Sequence, residues 1–448
     1  MGSVSAQNGG VLPAEQPRFA VQLAVIVAVA AIVRVLVVVL VDPRVPTVGD
    51  ASAYHLLANH LADGLGYIRP FDFTKFHLVV PTAEYPPFHP FVLSIFARLG
   101  ARSVEAQRLG LTVIGSATVA LVGLVGRQIA GPRVGMVAAG LAAISPMMFL
   151  PEATLMSEAI FVFLVTLALL LAGRIRTNPN VRAFAVLGLV LGLAALTRAE
   201  ATVLAVLLVV PLAVGVPVAS GRRRLALGTV AIAMVGAVMV PWAARNQTTF
   251  HAFVPVSNNL GTALAGANCE LTYQGAALGS WRSTFGTGDI ANGQCFTGFN
   301  GSQPHFNEAT AAGAARQKGI DFARNHLGDI PKVATARLLR SAGLFRPGQQ
   351  IELEALEGRP IGWERAGTYL DWVLYPFAAV GLYLLLRRRT GAWPLAAAVI
   401  SVLVSTLITY GNQRFRIGAE PTIMIAAAAG IVALVNRRGA PQSGSVPA

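Results

Sequence analysis

The sequence predicts an all-α polytopic membrane protein: a bundle of about ten transmembrane helices, with helices lying on its outer face and a long extracytoplasmic loop. Three observations predict it. Of 448 residues, 54% are hydrophobic and only 12% charged, so the chain has too little polar surface to cover itself in water. Apolar runs of roughly 20 residues, the length that crosses a bilayer core, recur along it. Arginines gather at alternate connections between those runs, as topology signals do.

In chain order the spans read as 19–41, 108–126, 133–150, 153–172, 183–197, 200–217, 225–243, 368–386, 391–410 and 417–435. Arg127 and Arg133, then Arg174, Arg176 and Arg182, then Arg222 to Arg224, Arg387 to Arg389, and finally Arg437 and Arg438 fall on one side of that ladder. The positive-inside rule makes that side cytoplasmic. The expected organisation is a cytoplasmic tail (1–18), an N-terminal transmembrane module with the candidate catalytic residues (19–243, including outer loop 42–107), an extracytoplasmic loop (244–367), C-terminal transmembrane helices (368–435) and a cytoplasmic tail (436–448). The first run is too long for a signal-peptide core and has no A-x-A-like site behind it, so it reads as an anchor. The net charge of +14 comes without a basic stripe interleaved with aromatics, so no nucleic-acid partner is expected; membrane lipids are. Only Lys75, Lys318 and Lys332 are lysines among the 35 basic residues. With the Ala and Val richness, this suggests a GC-rich bacterial genome and hence the bacterial plasma membrane.

Cys269 and Cys295 are the only cysteines, and both fall in the long outer loop. An oxidising compartment favours a disulfide there, and a Gly-, Asn- and Ser-rich loop with little core benefits most from one. Two unpaired thiols sharing a loop are the alternative.

Immediately after the first span comes GDASAYHLLANHLADGLGY. Asp50 is a carboxylate at the membrane interface, where apolar surroundings favour a usable base. It is equally an N-cap for the helix whose apolar positions are Ala53, Leu56, Leu57 and Leu61. The two readings are compatible, and Gly64 or Gly66 ends the helix in both. Tyr54 and His55 lie on the same helix. The next piece, AEYPPFHPFVLSIFARLG, opens with prolines and is too short to span, so it fits an interfacial helix on the outer leaflet. Two such helices roof a cavity over Asp50, with Glu84 at its edge and Tyr85 and His89 nearby; an ordinary interfacial histidine is the plainer account of His89.

Further charges stand at the outer ends of spans: Glu152 and Glu158 in PEATLMSEAIFVF, Arg198 and Glu200 in LTRAEA, Arg245 in PWAARN, and Arg414, Arg416 and Glu420 in YGNQRFRIGAEP. Ionisable groups at a bilayer are costly and are usually functional or paired. Arginine is the residue that grips a phosphate in a fork geometry. Interfacial anchoring or structural Arg–Glu pairing is the alternative for each alone. Arg34, inside the first span, needs a carbonyl or acidic partner, or a polar cavity.

Together GDASAYHLLANHLADGLGY, EYPPFHPFVLSIFARLG, the MSE turn, GLAALTRAEA, PWAARN and RFRIGAEP resemble the bacterial family 39 glycosyltransferases of the GT-C fold, which are similar to protein O-mannosyltransferases and the aminoarabinose transferases of lipid A. The resemblance covers most of residues 19–435. It implies a GT-C-like bundle, an inverting transfer from a polyprenyl-phosphate sugar donor to an acceptor of the cell envelope, and a site on the extracytoplasmic face. It further implies Asp50 as the catalytic residue, Glu84 as a second acid, and Arg198, Arg245, Arg414 or Arg416 near the donor phosphate. The chain departs from the family in its long outer loop with two cysteines and in having no lysine beside Glu84 in EYPP. No nucleotide is needed, because the lipid phosphate is the leaving group, and no cofactor is called for with certainty. A divalent cation near Glu84 is compatible with this, although no His/Asp/Glu ligand spacing points to one. The other function class is a lipid-linked-sugar flippase or transporter. Against it, the halves show no internal repeat, and the charges gather on one face.

Overall fold

The computed structural model describes residues 15–41, 49–217, 220–282, 295, 306–388 and 391–438. The ends of both expected cytoplasmic tails, residues 42–48 of the first outer loop, Arg389, and most of the stretch 283–305 lie outside them.

The described chain is helical, with no strand and a single isolated bridge, Ile68 to Pro81. A run rich in Ala, Val, Leu and Ile, with Arg34 inside it, forms α1 (Glu15–Val41). The short helix α2 (Gly49–Ala62) is stopped where Gly64 and Gly66 take φ of 77° and 84°, open to glycine but strained for other residues. It is followed by α3 (Pro70–Phe76) and by α4 (Phe88–Arg98), which starts behind the Pro86–Pro87 pair. Ser103 caps α5 (Val104–Ala130) by accepting from the Ala106 N–H. A turn at Gly131 leads to α6 (Pro132–Ile144), α7 (Pro146–Ala153), α8 (Glu158–Thr177), α9 (Val181–Thr197), α10 (Ala201–Gly215) and α11 (Gly221–Phe250). The outer layer holds α12 (Asn259–Ala267), α13 (Glu270–Tyr273), α14 (Glu308–Asn325), α15 (Ile330–Ser341) and α16 (Pro347–Leu356). The chain then returns through α17 (Ile361–Arg387), α18 (Trp393–Ile408), a 3₁₀ turn at Gln413–Ala419 and α19 (Glu420–Arg438).

Among the described residues, six helices are long and apolar enough to cross a membrane: α1, α5, α8, α11, α17, and α19 with its 3₁₀ lead-in. The bent pair α6–α7 counts as a seventh, and α9, α10 and α18 are shorter apolar helices. The chain is a multi-pass membrane protein. Two expected boundaries are corrected. The run 133–150 is not one straight helix but breaks by 46° at Ser145–Pro146, because Pro146 has no N–H to continue the ladder. The run 153–172 does not begin at Ala153. Leu155 turns the chain at φ 56°, and the helix starts at Glu158. Together these breaks feed Met156, Ser157 and Glu158 into the interior.

Close helix contacts hold the bundle, as expected where apolar lipid cannot drive helices together. A Cβ at Gly381 would stand 1.8 Å from the Ala426 carbonyl oxygen, and one at Gly188 would stand 2.2 Å from that of Ala231. These glycines bring α17 onto α19 and α9 onto α11. Inside the bundle Arg34 pairs with Glu152 at 3.1 Å, with both side chains buried. The arginine-bearing connections share one end: Arg176 lies against Gly391, Gln128 against Gly173, and Arg127 over the Phe19 ring at 4.6 Å.

At the other end Cys269 and Cys295 form a disulfide. Glu308, at the start of α14, is buried and accepts from Thr82 Oγ1 (2.7 Å), the Ala83 N–H (2.9 Å), Asn258 Nδ2 (2.9 Å) and Arg69 (3.2 Å). That one carboxylate ties the outer layer to the loop carrying Glu84.

Candidate active site

The turn that precedes α8 and the 3₁₀ turn that precedes α19 meet under the first turn of α2. There Arg414 engages three carboxylates from three separate segments. Its Nε donates to Glu158 Oε1 at 2.7 Å, its Nη2 to Asp50 Oδ2 at 3.1 Å, and its Nη1 stands 3.2 Å from Glu357 Oε2. Glu158 also pairs with Arg198 at 3.0 Å, and Arg198 with Glu200 at 2.5 Å. The Glu158 side chain is fully buried, whereas Asp50 and Glu357 retain 30% and 34% of their side-chain exposure. Glu158 therefore serves as an interior strut, and Asp50 and Glu357 present the reachable oxygens.

Asp50 lies in the first turn of α2, one residue inside Gly49, rather than at a cap position. Gly49 takes φ 55°, and a Cβ there would stand 3.3 Å from Glu357 Oε2, so a glycine permits the close approach of Glu357. Tyr54, one turn further on, donates to Ser157 Oγ at 3.4 Å, and its ring meets Tyr85 (5.3 Å) and His89 (4.8 Å) edge-on. His89 Nε2 donates to the Leu155 carbonyl at 3.3 Å, and burial pushes its pKa down to about 4, which keeps the imidazole neutral. Burial raises the pKa of Tyr54 and Tyr85, so both remain hydroxyl donors.

Glu84 is partly buried, and its pKa is pushed up to about 7 by burial first, then by the nearby Glu308, with Arg69 opposing and Asp50 adding to the rise. Its carboxylate makes no hydrogen bond or ion pair among the described residues. Burial likewise raises Glu357, with Arg414 opposing and Asp50 and Glu158 reinforcing the shift.

Three sequence-derived site residues sit elsewhere. His55 faces α5, with Nδ1 2.9 Å from Gln107 Oε1 and Nε2 3.3 Å from Asn59 Nδ2, so it does not line the Asp50 cavity. Arg245 donates to the carbonyls of Thr82 (2.7 Å) and Tyr67 (3.0 Å). That arginine clamps the outer loop rather than offering a phosphate grip. Arg416 is buried against Asp371, Glu420 (2.7 Å) and Tyr375 (2.7 Å) on α17 and α19, and is committed to holding the bundle.

Sequence reasoning missed Glu357 and the buried group around it, in which Arg359 reaches Glu364 at 3.1 Å and Glu354 at 3.8 Å. The signal for it was the acidic run IELEALEG closing the long outer loop. Among the described residues no group of three His, Cys, Asp or Glu could hold a metal ion. The acids that converge here share the Arg414 guanidinium instead.

The bundle resembles solved structures of the Archaeoglobus fulgidus oligosaccharyltransferase. One, in complex with Zn and sulfate, superposes with a TM-score of 0.52 at 14% identity, covering 92% of this chain and 49% of that one. The chain has the GT-C fold. A second structure of that enzyme, tethered with an acceptor peptide containing the NVT sequon via a disulfide bond, shares this GT-C architecture with a TM-score of 0.51 at 16% identity, covering 93% and 50%. The chain thus spans about half the length of the solved structures it matches. Within the GT-C bundle, residues 84–243 match the family described as Dolichyl-phosphate-mannose-protein mannosyltransferase. That stretch holds Glu84, Glu158 and Arg198 but not Asp50, Glu357 or Arg414. No curated protein matches the chain.

Proposed function

We propose that this chain is an integral membrane glycosyltransferase of the inverting type. It moves a sugar from a polyprenyl-phosphate donor to an acceptor hydroxyl of the cell envelope, at the extracytoplasmic face of the bacterial plasma membrane. The observation that carries this reading is the Arg414 junction, where a forked cation is shared between a buried strut, Glu158, and two reachable carboxylates, Asp50 and Glu357.

Such a junction responds to a phosphate. An arriving lipid phosphate competes with Asp50 and Glu357 for the Nη groups of Arg414, while Glu158 retains Nε and keeps the guanidinium in place. Arg198, the next cation on Glu158, adds positive charge. Once released from Arg414, the Asp50 carboxylate is free to accept the proton of the acceptor hydroxyl. The acceptor oxygen then bonds to the anomeric carbon and its proton passes to the Asp50 carboxylate. The bond from that carbon to the phosphate oxygen breaks, and its electron pair remains on the lipid phosphate beside Arg414. Glu84, near enough for the Asp50 charge to raise its pKa, is the second acid of the site.

The test is transfer from a library of synthetic polyprenyl-phosphate sugars by purified wild type and Asp50→Asn. Asparagine still offers Arg414 an acceptor oxygen but takes no proton, so transfer should fall by about 10²–10⁴-fold with stability retained. Wild-type-like transfer by the folded variant removes Asp50 from the base role. Lipid movement without a new glycosidic bond would replace the enzyme with a transporter.

A further inference from the structure

Far from Asp50, at the arginine-bearing end of the bundle, a cavity of about 710 Å³ lies between α10 and α11. Its volume falls in the roughly 300–1,000 Å³ range of built ligand sites. Val210, Ala213, Val214, Leu225 and Ile232 form its apolar walls, and Arg224 stands at its mouth. The shape follows from residue size. At Gly228 an added Cβ would stand only 3.1 Å from the Ala213 Cβ, so the floor is made of small groups. The walls are larger residues, Val210, Val214, Leu225 and Ile232, all left exposed. Of the six spans, α11 is also the one least buried by the rest of the protein.

Among the described residues Arg224 belongs to no structural pair. Its Nε is buried without a hydrogen-bond partner, and its guanidinium makes no ion pair among the described residues. No carboxylate occurs between Glu200 and Glu270, while Arg222 and Arg223 add two exposed cations beside it. A buried donor without an acceptor costs free energy, and basic pockets between membrane helices take anionic headgroups. An apolar groove between two membrane helices, with a guanidinium at the start of α11 that has no ion pair among the described residues, fits a molecule with an anion at one end and a hydrocarbon chain at the other.

We propose that this groove binds one anionic glycerophospholipid of the arginine-side leaflet, with its headgroup phosphate on Arg224 and one acyl chain lying along Val210, Val214, Leu225 and Ile232. The site is separate from the transfer chemistry and does not rest on it.

The experiment is native mass spectrometry of the purified full chain through graded detergent delipidation, with added phosphatidylglycerol, phosphatidylcholine, polyprenyl phosphate or inorganic phosphate. Wild type should hold one phosphatidylglycerol in preference to phosphatidylcholine by about fivefold for each arginine engaged. Arg224→Gln should abolish that preference. Ala233→Phe, which fills the groove from its exposed rim, should reduce retention of both phospholipids. Neither variant should change sugar transfer. No headgroup preference in wild type overturns the proposal without any variant, as does an unchanged preference in Arg224→Gln. Inorganic phosphate bound as well as lipid would reduce the site to an anion site. Selective retention of polyprenyl phosphate would assign the groove to the other lipid class, and a dimer that loses its second copy in Ala233→Phe would assign it to self-association. Each of these outcomes overturns the proposal.

Discussion

Arg414 and Asp50 are 364 positions apart in the chain and 3.1 Å apart in space. Asp50 is set by the start of the first outer helix and Arg414 by the last outer turn, so the contact closes the two ends of the fold on one another. The other two acids on the same guanidinium come from the broken span at Glu158 and from the end of α16 at Glu357. The cluster therefore assembles only when all four segments are in place, and it reports on the folding of the outer face as a whole.

Arg414 and Arg416 should behave differently although they are two residues apart. Arg414→Lys keeps one charge but cannot span three carboxylates, so donor KM should rise and transfer fall by about tenfold or more. In Arg416→Lys the same change leaves buried Asp371 and Glu420 poorly paired, which should cost stability, within the roughly 3–5 kcal/mol seen when a buried pair is broken. Donor kinetics and thermal unfolding of both variants check this. Unchanged KM in a stable Arg414→Lys variant would remove that residue from the phosphate grip.

This pair also marks what the sequence made legible. Spans are set by apolar length, a local property, and the order of apolar helices was readable for that reason. The break at Pro146 was hidden because the apolar run continues across it. RFR shows two arginines as one motif, but in a 3₁₀ turn of three residues per turn, positions two apart point to different sides. One therefore reaches α2 and α8, and the other α17. Glu308 was illegible because its partners Ala83 and Thr82 lie 225 or more residues away, and the acidic run around Glu357 did not reveal that its partner, Arg414, stands on the last outer turn. Asp50, by contrast, stands where a helix begins beside a membrane, a position that is itself a local signal.

Glu84 predicts a pH dependence of stability. Its pKa is raised from 4.5 to about 7, so between those values the folded protein holds a proton that the unfolded chain has released. Stability therefore falls as pH rises through that window, with the full loss present above pH 7. A shift of that size corresponds to about 3 kcal/mol, and solvent contact at this partly buried group should reduce it to about 1–2 kcal/mol. Glu84→Gln cannot release a proton, so its melting temperature should match wild type near pH 4.5 and exceed it at pH 8. Parallel profiles would show that Glu84 is not held protonated.

Gly115 on α5 predicts a packing effect within the membrane. An added Cβ would stand 1.6 Å from Glu152 Oε1, so the glycine is the slot that lets Glu152 reach Arg34. Gly115→Ala should expel the carboxylate and leave Arg34 unpaired, at a cost on the order of 3 kcal/mol. Thermal unfolding in detergent measures it. Adding Glu152→Ala should recover part of the loss, since the shortened side chain no longer meets the new Cβ and leaves no displaced buried carboxylate, and failure of that rescue would mean the alanine acts by helix spacing alone.

Glu357 predicts a catalytic effect in a segment that the sequence motifs did not single out. Its carboxylate keeps 34% of its side-chain exposure and shares Arg414 with Asp50, so it competes with an incoming phosphate for the same N–H groups. Glu357→Gln removes a competitor and also withdraws one negative charge from beside Asp50. The first effect strengthens donor binding, and the second leaves Arg414 to hold Asp50 more firmly, which slows its release to the acceptor. Donor KM should therefore fall while kcat falls with it, each by about threefold to tenfold if one exposed charge contact of about 1 kcal/mol is at stake. Steady-state transfer separates this from a purely structural role, which would lower kcat through lost folded protein and leave KM where it was.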